Sequence, residues 1–144
     1  MLIDNLKKVL ASNFAFYLKA HFFHWNVEGP DFAQFHDFFG DLYEELFSPI
    51  DKWAEEIRAL NSYTPGSFNR YLDLSVIDGQ ERVDLVPLDM IRELFADNTL
   101  MINLLTQTYN DAENEKQIGL ANFIQDRIDA HNKHGWMLRS FLKG

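Results

Sequence analysis

The donors this chain offers for chemistry are His21, His24, His36, Asp37, Asp41, Asp51, Glu55, His131 and His134. There is no cysteine, which removes thiolate nucleophiles, disulfide frames and Cys-ligated zinc at once. Imidazole and carboxylate together suit a divalent transition metal, iron included. Asp51 and Glu55 are four positions apart and share one face of any helix that carries them. A di-iron centre enclosed in one four-helix bundle would show Glu-x-x-His on two helices. The residues three places before the five histidines are Leu18, His21, Ala33, Ile128 and His131. That motif is absent, so a metal site here has to be assembled differently.

The donors sit on long helical patterns. Leu6, Leu10, Phe14, Tyr17 and Ala20, widened by Val9 and Phe16, form an apolar stripe at helical spacing that ends at Val27-Glu28-Gly29-Pro30. Asp31, with Gln34 three residues on, is expected to cap a second helix. Its apolar series Phe32, Phe35, Phe39, Leu42, Leu46, Ile50, Trp53 and Ile57 runs to about Leu60. Pro49 interrupts that series, removing a backbone donor and crowding the carbonyl of Glu45. The favoured reading is one kinked helix, because the apolar phase passes through Pro49 without slipping. The alternative starts a new helix with Ser48 as N-cap and Pro49 first. Ser62 to Pro87 is a long connection in which Ser67 caps a short helix over Phe68–Leu72. Two further helices are predicted, at about Leu88–Ala112 and Gln117–Leu142.

Short links make the first and second, and the third and fourth, helices antiparallel neighbours. The long link lets the second and third run parallel. The fold class predicted is therefore all-α, a single domain over 1–144 with the ferritin-like four-helix topology and one long crossover.

His24 lies late on the first helix and His36 early on the second, so a short turn brings the two rings together. Asp51 is fifteen residues beyond His36, roughly 22 Å along a straight helix, and a proline kink does not close that gap. One chain cannot place His24, His36, Asp51 and Glu55 on one metal. Two second helices paired antiparallel about Tyr43–Phe47 can: His36 of one subunit then faces Asp51 of its twin, and two equivalent sites arise, as an isologous interface requires.

Charge narrows the partners. The net charge is −9 and the pI about 4.9. Such a surface attracts cations and repels phosphate backbones, so direct DNA binding is not expected. Met1 to Asn13 reads as amphipathic helix rather than a secretion signal, and no apolar run reaches membrane-spanning length. A cytoplasmic protein without a membrane partner is the expectation.

The run His24-Trp25-Asn26-Val27-Glu28-Gly29-Pro30-Asp31-Phe32, then His36, then Asp51-Lys52-Trp53-Ala54-Glu55, resembles the signature of the Dps mini-ferritins, the DNA-protection-during-starvation proteins. Asp129 to Arg139 is similar to that family's last helix, and Thr64–Ser67 through Leu72–Ser75 to its crossover with a short helix. The resemblance spans nearly the whole chain. It implies a dodecameric shell built from two-fold dimers, iron(II) oxidised by hydrogen peroxide or O2 at the dimer interfaces, and ferric iron stored inside. It implies that His24 and His36 are ligands from one subunit, Asp51 and Glu55 ligands from its mate, and Trp25 a neighbour of the site.

The family pattern carries an aspartate four residues after its second histidine, where this chain has Gly40. A carboxylate is missing there, and a helix interior is weakened by about 1 kcal/mol relative to Ala. On this reading Gly40→Asp should tighten iron binding, and a second functional reading stays open: the same shell with a weakened or inactive ferroxidase site, acting as a non-catalytic metal-binding or structural particle. A third is an ordinary helical interaction protein. The tail lysines that family members use on DNA are also lacking. His21 and His131 read as packed residues and His134 as an exposed one. Trp25 and Trp53 read equally well as interface packing. Asp111, Glu113 and Glu115 suit either the family's three-fold iron-entry pores or a solvated turn.

Overall fold

The computed structural model describes all 144 residues and contains six helices: α1 (Leu2–Asn26), α2 (Phe32–Phe47), α3 (Ile50–Ala59), α4 (Phe68–Leu74), α5 (Pro87–Asn114) and α6 (Ile118–Phe141). The long predicted helices are present, with ends within two residues of expectation for α5 and α6. Ser67 caps α4 as predicted: its hydroxyl accepts from the Arg70 N–H at 3.2 Å. Asp31 does not. It precedes α2 but its side chain makes no capping bond, so the capping box read from Asp31 and Gln34 is corrected.

The turn between α1 and α2 is set by Val27, which is extended, and by Gly29, whose φ of +125° is accessible only to glycine without strain. It reverses the chain within a few residues. The ends of α3 and α5 are closed by Asn61 and Lys116 in left-handed conformation. In each, the next N–H reaches back to a carbonyl of the last turn, Ser62 to Ile57 at 3.2 Å and Gln117 to Ala112 at 2.9 Å, the Schellman pattern.

Pro49 resolves both readings in part. The helical ladder breaks, so α2 and α3 are separate, yet Ser48 and Pro49 keep right-handed helical dihedrals and the Trp53 N–H still donates to Pro49 O at 3.0 Å. The path is that of a kinked helix. Ser48 is not a cap. Its hydroxyl donates to the Glu45 carbonyl at 2.7 Å, which is the acceptor a residue other than proline at 49 would have served.

Cross-helix contacts give the directions. Asn13 donates to the Leu46 carbonyl, Asn5 to Asp111, and Lys19 pairs with Asp97. Both α2 and α5 are thus antiparallel to α1, hence parallel to each other, as the long crossover predicted. Along α6, Phe123 meets Trp53 and Phe141 meets Phe35, so α6 runs antiparallel to the α2–α3 path. The core between them holds Leu6, Leu10, Phe16, Phe23, Phe39, Leu46, Trp53, Ile57, Ile91, Leu94 and Ile124, all fully buried. Trp53 is core rather than interface packing. Burying each large side chain contributes about 1.5–3 kcal/mol.

A polar cluster stitches α6 to α2 and α5. Arg127 makes a two-pronged bond to Glu45 (2.6 and 2.8 Å), and His134 Nε2 lies 2.6 Å from the same carboxylate. His134 is buried, correcting the expectation that it is exposed. His131 packs in the core as predicted, its Nδ1–H donating to Asn98 Oδ1 at 2.8 Å. Burial alone would raise the Glu45 carboxyl. The bonds from Arg127 and His134 outweigh it and hold the group at about 2. His131 is pushed well below the ordinary histidine range, first by burial and then by His134 and Arg127, against Glu45.

Two predictions follow from these contacts. Ser48→Ala should cost about 0.5–1.5 kcal/mol in chemical unfolding and much less in a Pro49→Ala background, where a restored N–H can serve Glu45. Equal costs in both backgrounds would show that the hydroxyl is not a substitute donor. Acid should act in two stages. The unfolded chain binds a proton at His131 near pH 6.5 and the native state does not, so stability is fullest above that pH and declines below it, by up to about 1.4 kcal/mol per pH unit. The Glu45 contribution is present above its ordinary pKa and is lost as pH falls from there towards 2. Thermal unfolding followed from pH 8 to 5 should decline less steeply in His131→Gln than in the unsubstituted protein.

Candidate metal centre

The α1–α2 turn places His24 and His36 face to face. Their rings stack with centroids 3.8 Å apart and planes at 17°. His24 Nδ1 lies 2.7 Å from the carbonyl of His36, and His36 Nδ1 lies 2.8 Å from the carbonyl of His24. A carbonyl only accepts, so each Nδ1 carries a proton and donates. In the neutral rings the lone pair is then on Nε2. This is the arrangement that prepares histidine for metal: one ring nitrogen tied down as donor, the other left as ligand. Here the backbone of each histidine supplies the other ring's anchor, and no third residue is needed.

An aromatic wall surrounds the pair. His21 lies between Tyr43, stacked at 3.8 Å and 9°, and Trp25, at 3.9 Å. The Tyr17 hydroxyl is 3.2 Å from His21 Nδ1. Desolvation, with His24 second, lowers the His21 pKa and favours its neutral form. His21 is packed, as expected. The Tyr17–His21–Trp25 ladder at spacing four was visible in the sequence. Tyr43 as its lid was not, since nothing in α2 alone says that the ring faces α1.

Asp51 and Glu55 are on α3, past the Pro49 break, and both are exposed and form no ion pair within the chain. They are one turn apart on a single face. No three His, Asp or Glu side chains of one chain converge to hold a metal. The chain therefore brings His24 and His36 together and leaves Asp51 and Glu55 apart from them. Asp37 and Asp41 point to solvent beside Gly40. Asp111 accepts from Asn5 at 2.6 Å, and Glu113 and Glu115 are exposed at the end of α5.

The bundle interior is no substitute. The buried acid, Asp97, is paired with Lys19 at 2.8 Å, and the half-buried Glu45 is met by Arg127 and His134. Sequence reading missed this cluster. Glu45 is on α2 and Arg127 and His134 are on α6, and only the packing of these two helices unites them.

An exposed apolar groove adjoins the histidine pair, lined by Phe14, Leu18, Phe22, Trp25, Phe68 and Leu72 between α1 and α4. Trp25 is 59% exposed, Phe68 81% and Leu72 78%. No helix is long and apolar enough to cross a membrane.

Comparison with known proteins agrees with this architecture. The ferritin-like domain family matches residues 3–144. The DNA protection during starvation protein 2 of Bacillus anthracis is 30% identical, the match covering 97% of this chain and 95% of that protein. An uncharacterized low temperature-induced protein of Nostoc is 32% identical over 99% of this chain and 80% of its own length. Among solved structures, Dps from Thermosynechococcus elongatus superposes with a TM-score of 0.95 at 28% identity, covering 99% of this chain and 90% of that one. The Vibrio cholerae Dps, described as a member of a broad superfamily of ferritin-like diiron-carboxylate proteins, gives 0.94 at 26% identity, covering 99% and 89%. With the same helix order, the same crossover and a match along nearly its whole length, the chain belongs to the ferritin-like family and, within it, to the Dps mini-ferritins.

Proposed function

We propose that this protein oxidises iron(II) at sites shared by two subunits and stores the ferric product inside a dodecameric shell, protecting its cell against oxidative damage. The observation that carries this reading is the histidine pair. Two Nε2 lone pairs are presented together, with no carboxylate of their own chain to complete a ligand set. Asp51 and Glu55 of a two-fold mate are the complement: exposed, without ion pairs, one turn apart, and unable to reach the histidines of their own chain. Imidazole with carboxylate is a donor set that iron accepts. The apolar groove beside the pair supports burial of this face against a second subunit.

The stacked geometry adds a constraint. Each lone pair lies in its own ring plane, and the planes are within 17° of parallel with ring centroids 3.8 Å apart. A single ion at about 2.0–2.1 Å from nitrogen does not sit in both planes. The two rings therefore serve neighbouring metal positions, which suits a two-electron oxidant. Two iron(II) ions each give one electron to hydrogen peroxide, its O–O bond breaks, and the resulting oxide and hydroxide leave with iron(III) while protons pass to solvent. O2 is the slower alternative oxidant. The net charge of −9 draws iron(II) in and repels DNA, so protection would come from removing iron and peroxide rather than from coating nucleic acid. The second reading, a shell without ferroxidase activity, rests on Gly40, where the family pattern has a carboxylate.

The protein should elute as a particle far larger than a dimer, and a monomer or lone dimer would end the shell reading. After anaerobic loading with iron(II) and addition of peroxide, ferric absorbance should grow faster than in buffer. His24→Ala and Asp51→Asn should each remove that excess. Reassembly of the two variants from a mixture should restore part of it, because a dimer of one of each keeps one intact site. Sites contained within single chains would show no recovery. A shell that binds iron(II) but never exceeds the buffer rate would establish the second reading.

A further inference from the structure

Gly40 lies inside α2 with no left-handed backbone to explain it, and glycine is among the poorest residues for a helix interior. Its surroundings supply a reason. A Cβ at position 40 would lie 3.1 Å from His24 Cε1 and 3.2 Å from His24 Nδ1. Carbon contacts are comfortable at about 3.5–4.0 Å, so the ring would have to retreat. The ring is held on several sides: His36 is stacked on one face at 3.8 Å, the Tyr43 centroid is 5.2 Å away, and Nδ1 is bonded to the His36 carbonyl at 2.7 Å. Retreat loosens either the stack or that bond. The two atoms a Cβ would press are also the sensitive ones. Nδ1 carries the proton that fixes the tautomer, and Cε1 is bonded to the ligating Nε2.

We propose that Gly40 is a positioning residue of the metal site: its missing side chain is the socket in which the His24 ring lies. A side chain here, a carboxylate included, weakens metal binding. This reverses the expectation that Gly40→Asp restores a lost ligand, since aspartate brings the same Cβ with its carboxylate. The inference rests on the reading of His24 as a ligand, and it makes the glycine part of how this chain builds its site.

Cobalt(II) is a suitable probe, because its visible absorption reports both affinity and ligand geometry without turnover. In the assembled protein, Gly40→Ala should weaken cobalt(II) binding about 10-fold, the scale at which disturbed outer-shell partners act, and shift the absorption bands. Gly40→Asp should bind no more tightly than the unsubstituted protein, and Asp41→Ala, one residue away and exposed, should bind equally well. A measurement on the metal-free protein separates ring displacement from general damage. Alanine favours helix, so Gly40→Ala should raise Tm when introduced into His24→Ala, where the ring is gone, and raise it less or lower it when His24 is present. If His24→Ala binds cobalt(II) as the unsubstituted protein does, the site reading itself fails. If His24→Ala abolishes binding but Gly40→Ala leaves affinity and spectrum unchanged, or raises Tm equally in both backgrounds, or if Gly40→Asp binds more tightly, the role of Gly40 alone is overturned.

Discussion

Two hydrogen bonds hold the proposed metal site in place: His24 Nδ1–H to the His36 carbonyl, and His36 Nδ1–H to the His24 carbonyl. Each imidazole is oriented by the backbone of the other's residue. The exchange fixes ring planes and tautomers together and leaves the lone pair of each neutral ring on Nε2. It also makes the site cooperative in a literal sense. Displacing one ring removes the stacking surface of the other, and shifting one helix against the other breaks both bonds.

The rest of the subunit can be read as what this exchange requires. It needs α1 and α2 antiparallel at a fixed offset, which the turn through Gly29 imposes with a backbone conformation that other residues resist. It needs the helices close at that end, which Phe23 and Phe39 secure from the buried side with ring centroids 6.1 Å apart. It needs room for the His24 ring against α2, and the bare Cα of Gly40 supplies it. Farther along, Pro49 breaks the ladder while leaving the helical path intact, so Asp51 and Glu55 begin a separate short helix. Lys19, buried beside Asp97 and Glu93, fixes α1 to α5, and Gln80 donates to Glu93 and draws the crossover in.

Much of this was legible before any coordinates. Apolar spacing located the long helices, the length of the Ser62–Pro87 link implied the parallel pair, and the turn after Asn26 implied that His24 meets His36. What was not legible depended on atoms from different helices at one point. Asp31 has the residue type of a cap but dihedrals of −103° and 32° and no capping bond. His134 read as exposed, yet it is buried against Glu45 of the facing helix α2, which Arg127 of its own helix also holds. Gly40 looked like a deletion when compared position by position. Its meaning is spatial: the constraint is set by the His24 ring on another helix, and no local pattern in α2 records it.

The paired acids of the bundle give a physical reason for the proposed placement of the metal chemistry at an interface. A four-helix bundle offers its interior as the natural place for metal, provided carboxylates there remain free. In this chain the buried acid Asp97 is already paired with Lys19, the half-buried Glu45 is met by a two-pronged guanidinium and a histidine, and His131 is kept uncharged by burial. A cation entering would have to displace Arg127 from a carboxylate held at about 2, exchanging one buried pairing for another at the cost of stranding a buried positive charge. The face that carries the histidine pair has no such competitor. It presents neutral imidazole nitrogens beside apolar surface, and its missing negative charge is matched by acids that this same chain displays elsewhere without partners. Stability and the proposed metal chemistry are thus separated in space: Glu45 holds α6 to α2, and on the proposed reading ligation falls to surfaces that a second copy completes.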